Sequence, residues 1–228
     1  AACDRLTLLP GSLVIDVGSN DGSLLSCFRD RGMKVLGIDP ANEIAMRATE
    51  AGVTTIPEFL TLELSQKIKQ EHGSASVICA FNVYAHSDDL VGMTESIREM
   101  LSADGVFICE FSYLLDIVDR MLLGTIFHEH LSHHSIKPLA LFLKHHGLEL
   151  IDVERNNIQG GSVVATIQHI DGPLKPSSAI FELLELEREY GLDQPETLKQ
   201  FSVRLNELKT KVEGMIAEFI SQGKVIWG

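Results

Sequence analysis

Five short apolar runs, each set off from the next by a helix-length amphipathic stretch, restrict this chain more than any other feature. They are LVIDV (13–17), KVLGI (34–38), VTTI (53–56), SVICAF (76–81) and GVFICEF (105–111). A strand that is apolar on both sides must be covered on both faces, and parallel strands need a crossover helix to return the chain. Helical patterns at roughly 22–31, 41–51, 60–71 and 88–102 supply those crossovers. The alternation predicts an α/β fold on a doubly wound, mostly parallel sheet.

The rhythm changes after Phe111, where residues 112–134 read as a long connection. Ser135 is placed to N-cap a helix running to about 146, with His134 at its entry. His145 and His146 suit the negative end of that helix, and Gly147 is a stop signal. LELIDVERN and SVVATIQHI, separated by NIQGG, alternate like the arms of a hairpin. Residues 177–191 and 195–221 read as helices, with Pro195 suited to a first turn. In the second, apolar residues recur at intervals of three and four, as in a helix that packs on the core or on a partner subunit. The sequence stops in GKVIWG, where a strand is expected to begin and a further αβ segment to follow. The expected division is a core over 1–172 and a helical segment over 173–228 leading into a C-terminal αβ lobe.

Charge and cysteine usage narrow the function classes. A formal net charge of −13 disfavours nucleic acid and anionic membrane as partners, since both need basic surface. No apolar run approaches the ~20 residues of a membrane span. Cys3, Cys27, Cys79 and Cys109 form no CxxC pair. The last two sit in apolar runs, which predicts buried free thiols and a cytoplasmic location.

The first run leads into DVGSNDGSLL: Asp16, Gly18, Ser19, Asn20, Asp21 and Gly22. A strand that enters a glycine turn and opens a helix offers backbone N–H groups to a polar or anionic ligand. Dinucleotide sites favour a glycine where this chain has Asn20. Asp16 and Asp21 also place carboxylates by the turn, which suits a cationic ligand such as S-adenosylmethionine (SAM) better than a pyrophosphate. Asp39, about twenty residues on, can accept hydrogen bonds from ribose hydroxyls. Alone it does not separate SAM from NAD; together with the loop and the terminal hairpin it favours SAM. Phe59 is a candidate wall for adenine, Glu58 for its edge, and Asn82 lies where the methionine end would pass.

VIDVGSNDGSLL, LGIDPA, FNVYAH (81–86), FHEHLSH (127–133) and NIQGGS (157–162) together resemble the sugar C-methyltransferases. The resemblance extends over roughly residues 8 to 228. It implies a class I methyltransferase fold, a seven-stranded sheet ending in the hairpin at 148–170. It also implies SAM as cofactor, S-adenosylhomocysteine as product, Asp39 and Pro40 in the cofactor site, and a nucleotide-linked keto-deoxysugar as small-molecule substrate. Members usually carry an N-terminal cysteine-rich zinc lobe, for which residues 1–12 offer nothing, and a C-terminal αβ lobe. The oligomeric state stays open.

HEHLSHHS (128–135) holds four of the nine histidines. A zincin pattern would need histidine at Ser132, and no cysteine pair completes a tetrahedral set, so no metal is expected. Methylation of a carbon beside a ketone needs a base for the α-proton and a group to stabilise the oxyanion. The resemblance assigns His130 as that base, Glu129 as an orienting or substrate-hydroxyl contact, and His86 as the second active-site histidine. His128 and His133 read as scaffold or surface. Phe127 stands where the family commonly has tyrosine; Tyr84 and Tyr113 are the alternative phenols or an aromatic wall. Gly160, Gly161 and Ser162 resemble the substrate-side GGS of the family, although a glycine pair equally suits a hairpin turn. Rival readings are an O- or N-methyltransferase, which needs no such base, and a catalytically idle SAM-binding scaffold.

Overall fold

A computed structural model describes residues 8–227. Its seven strands are β1 (Leu13–Val17), β2 (Lys34–Ile38), β3 (Thr55–Ile56), β4 (Ala75–Phe81), β5 (Leu101–Ser112), β6 (Leu148–Asn156) and β7 (Ser162–His169), in the sheet order β3-β2-β1-β4-β5-β7-β6. β3 to β5 pair in parallel, and β7 lies antiparallel between β5 and β6. The expected α/β sheet with its terminal hairpin is what forms.

Helices α1 (Ser23–Arg29), α2 (Asn42–Glu50), α3 (Leu62–His72) and α4 (Leu90–Met100) make the parallel crossovers. Each strand buries side chains on both faces: Ile15, Ile78 and Phe107 join one core, and Val14, Val77 and Ile108 the other. Thr61 Oγ1 accepts the Leu64 N–H at the start of α3, and Asp89 Oδ1 accepts the Gly92 N–H at the start of α4. These caps fix the loops after β3 and β4, the two that face the ligand cleft.

Several local expectations change. β3 is only two residues long; the N–H of Val53, which is buried beneath Gly22, donates to the Ala48 carbonyl of α2 at 2.9 Å instead of to a neighbouring strand. The connection after β5 contains a helix, α5 (Leu114–Arg120), in which Leu115, Asp116, Ile117 and Val118 are all buried, so that it is covered on most of its circumference. Ser135 does precede α6 (Ile136–His145), but its hydroxyl makes no capping bond. The amides of Ile136 and Lys137 donate instead to Glu187 of α7 (Ser178–Tyr190), at 2.5 and 3.1 Å. α8 (Pro195–Ser221) has no buried residue; it meets the body through Phe201 and through Arg204, which donates to the Val118 and Asp119 carbonyls. Among the described residues, Lys224–Trp227 pair with no strand. Cys79 and Cys109 are buried, while Cys27 is exposed. Cys3 lies outside the described residues.

Candidate active site

A cavity of about 750 Å³ opens at the carboxyl ends of β1, β2 and β4. This is where parallel α/β sheets bind ligands, because the strand order reverses there and the following loops splay apart. Gly18, Asp39, Pro40 and Glu58 line it, together with Phe59, Asn82 and His86. Phe59 is 76% exposed, an aromatic face with nothing yet stacked on it. Gly18 has φ 72°, and a Cβ there would collide with Val83 Cγ2, so only glycine leaves the cleft floor open.

The lining is acidic. Asp39, Glu58, Asp88 and Asp89 contribute four carboxylates, and no lysine or arginine faces the cavity among the described residues. Asp39 is held by two backbone amides, Asn20 N–H on Oδ2 and Ala41 N–H on Oδ1, each 2.9 Å. Both oxygens keep a lone pair for a ligand hydroxyl. Asp16 sits behind this wall, 4% exposed; burial, with the Asp39 charge added, pushes its carboxyl up to about 7.

The rest of the glycine loop builds the wall rather than lining it. Asn20 adopts the left-handed conformation that points its amide at Asp39. Ser19 is buried, with its hydroxyl unpartnered. Asp21 is exposed, and hydrogen bonds from the Ser23 side chain first and the Ser23 N–H second hold its carboxyl below the usual range. Gly22 packs on Val53.

The histidines converge at one end of the cleft. A 3₁₀ turn, Tyr84–His86, follows β4, and the Ala85 carbonyl accepts the Leu131 and Ser132 N–H groups at 3.0 and 3.3 Å. That tie brings the His130 ring edge-on to the His86 ring, with centroids 4.7 Å apart. Phe127 covers the other side of His130 at 4.5 Å. His130 Nδ1 lies 2.6 Å from the Thr125 carbonyl. A carbonyl only accepts, so Nδ1 carries a proton, and in the neutral ring Nε2 keeps its lone pair. Burial, followed by the charge of His130, holds His86 below its usual value, with Glu129 pulling the other way. His133 is lowered by the same two causes. His134 is buried against Tyr84 and Phe111 and is driven down to about 4. His128 is exposed.

Four expectations are corrected. Of the two roles expected of Glu129, orienting His130 falls instead to the Thr125 backbone carbonyl on Nδ1, while Glu129 itself is exposed. Tyr84 has no exposed surface, and its phenol is bonded to Thr94 Oγ1 at 2.5 Å, so it anchors the turn instead of walling the cleft. Tyr113 is equally buried, its hydroxyl donating to Glu187 Oε1 at 2.9 Å. Gly160, Gly161 and Ser162 pack under α5: a Cβ at Gly161 would overlap Asp116, one at Gly160 would press on Leu122, and Ser162 is fully buried with its hydroxyl on the Ile158 carbonyl. The glycines are needed for close packing there.

Ser96, Asp88, Asp89 and Thr125 escaped the sequence reading. Ser96 lines the cavity with a buried, unpartnered hydroxyl. Its signal was a serine in the apolar Met93–Met100 stripe of α4. Thr125 contributes only its main chain, which no residue type announces. Among the described residues, no three His, Cys, Asp or Glu side chains converge as a metal site.

Known proteins share this architecture. The magnesium protoporphyrin IX methyltransferase of Synechocystis PCC 6803, with bound SAH, superposes with a TM-score of 0.57 at 17% identity, over 73% of this chain and 78% of its own. A SAM-dependent methyltransferase from Anabaena variabilis ATCC 29413 gives 0.58 at 16% identity, over 74% and 82%. These likenesses establish the class I methyltransferase fold. In sequence, the C-methyltransferase NovU of Streptomyces niveus is 33% identical over 227 residues, 99% of this chain and 54% of the relative. The chain thus spans about half the length of the curated relative it matches. Residues 157–228 match a family model described as a C-methyltransferase C-terminal domain. Residues 2–153, more than half of the chain, match one described as a methyltransferase domain, and the chain belongs to that methyltransferase family.

Proposed function

We propose that this chain is the methyl-transferring part of a SAM-dependent C-methyltransferase, and that its acceptor is a carbon beside the ketone of a nucleotide-linked 4-keto-deoxysugar. The observation that carries the reading is His130, whose Nε2 lone pair is left free by the Nδ1–Thr125 bond beside an acidic cleft. Support comes also from the C-methyltransferase family match and from the name of the Streptomyces relative.

The cleft fits SAM by charge and by shape. Four carboxylates suit an ammonium and a sulfonium, and Gly18 leaves open a cradle that a Cβ would fill. Asp39 would take the ribose hydroxyls, Phe59 the adenine face, Glu58 its edge, and Asn82 the methionine end. When bound, SAM supplies an electrophilic methyl group on sulfur. His130 Nε2 takes the α-proton of the sugar; the C–H electron pair moves into the carbon–carbon bond, and the ketone oxygen becomes an enolate. His86, beside it, would stabilise that oxygen, and the enolate carbon would form its bond to the methyl group as the methyl–sulfur bond breaks, that electron pair returning to sulfur and leaving S-adenosylhomocysteine.

Deuterium placed at the α-carbon of a nucleotide-linked 4-keto-6-deoxyhexose should wash into solvent when enzyme and S-adenosylhomocysteine are present. Methylation without exchange would point to oxygen or nitrogen as acceptor. Tight SAM binding with neither exchange nor methylation would point to an idle scaffold.

Asp16 adds a pH signature. Its native carboxyl holds a proton up to about 7, higher than in the unfolded chain, so by itself it costs stability as pH rises between those two values. A cationic ligand in the adjoining cleft favours the carboxylate and expels the proton. SAM affinity should rise several-fold between about pH 6 and about pH 8. Calorimetry in two buffers of different ionisation enthalpy should show proton release, and Asp16→Asn should abolish it. A pH-independent affinity in the unmodified protein would remove Asp16 from cofactor binding.

A further inference from the structure

We infer that Glu187, in a helix outside the cleft, is a positioning residue for His130. The inference rests on His130 acting as the base. The segment between β5 and α6 carries His130 and leaves and re-enters the body at one place. There Tyr113 bridges to His134, and the Leu114 N–H donates to the His134 carbonyl at 2.9 Å. Glu187 closes that place from the far side. Its Oε1 accepts the Tyr113 hydroxyl on the outgoing stem and the Ile136 amide on the returning one, at 2.9 and 2.5 Å; its Oε2 accepts the Lys137 amide at 3.1 Å.

A helix cap alone does not explain this arrangement. Ser135 stands at the N-cap position with a suitable hydroxyl that goes unused. The acceptor comes instead from about fifty residues later, is 5% exposed, and is shared with a buried phenol that capping does not require. An ionised carboxylate is an acceptor only, so three donors from two separated segments can meet on it. From His134 the path to the base is short: Ser132 Oγ lies 3.0 Å from His134 Nε2, and the Ser132 and Leu131 amides hold the Ala85 carbonyl beside His86. His130 is next in the chain.

The test uses the full chain carrying Glu187→Gln, which turns one acceptor into a donor facing the stems, and separately the milder Tyr113→Phe. The downfield proton signal of the His130 Nδ1–H, identified by its loss in His130→Gln, reports the bond to Thr125 without any substrate. In Glu187→Gln that signal should broaden or vanish while SAM affinity stays within about twofold, since Glu187 touches no cleft residue, and Tyr113→Phe should shift it the same way. With a nucleotide-linked 4-keto-6-deoxyhexose, kcat in Glu187→Gln should fall roughly tenfold at unchanged KM for SAM. A lower melting temperature with the His130 signal unmoved in both variants would reduce Glu187 to a structural cap and overturn the inference. Normal turnover in a His130→Ala chain would instead overturn the base assignment, leaving the proton signal to report on positioning by itself.

Discussion

Replacing His130 with alanine should lower methyl transfer by roughly 10²–10⁴-fold, the usual loss for a general base, and leave SAM affinity within about twofold. The split follows from the geometry. His130 lies on the loop after β5 and does not line the cavity, whereas the acidic groups that suit SAM lie on the loops after β2, β3 and β4. Its tautomer is set by a main-chain carbonyl. Loss of the imidazole removes the lone pair itself. The defect should appear in kcat more than in the KM for SAM, and α-deuterium exchange should be lost along with methylation, because both need the same proton removed. His130→Gln should behave like the alanine variant, since an amide is no base. Turnover like that of the unmodified protein in either variant would exclude His130 from the chemistry.

Asp116→Ala should destabilise the fold by about 3 kcal/mol, at the lower end of the cost of breaking a buried ion pair. The carboxylate has no exposed surface. Arg155 grips it with two bonds, Nε to Oδ2 at 3.0 Å and Nη2 to Oδ1 at 2.6 Å, and Arg120 Nε adds a third contact at 3.0 Å. Alanine strands both guanidinium groups. Their side chains are 28% and 39% exposed, so water can recover part of the loss, hence the lower end of the range. Arg120 also reaches the Gly160 carbonyl, and Arg155 lies over the Tyr113 ring, so α5, the hairpin turn and the loop stem should loosen together. Denaturant unfolding should report the loss, and the melting temperature should drop by roughly 6–12 °C at about 2–4 °C per kcal/mol. A change below about 1 kcal/mol would mean that the network is fully replaced by hydration.

Asp116 also shows why the GGS motif reads ambiguously. A glycine pair states that something comes close to the backbone, and not what. Here the neighbour is the Asp116 side chain, brought in by a helix that precedes the motif by some forty residues. Tyr84 and Tyr113 fail for the same reason: a ring with a polar tip reads alike whether the tip meets ligand, Thr94 or Glu187.

What the sequence alone determined is what short-range physics writes into it. The two-face apolar runs specified parallel strands, and alternation in 148–156 and 162–169 specified the hairpin. The three-and-four spacing after Pro195 marked a helix that spans Pro195–Ser221. The glycine turn after β1 and Asp39 after β2 placed the ligand cleft, because strand ends in such a sheet have one functional edge. The tertiary structure alone decided which polar groups meet. Glu187 over the α6 amides, the Thr125 carbonyl on His130 and Ala85 under Leu131 join residues through buried hydrogen bonds whose partners no local pattern names. A buried donor must be satisfied, but any acceptor that the fold brings within 3 Å or so will do, and only the packed chain determines which one arrives.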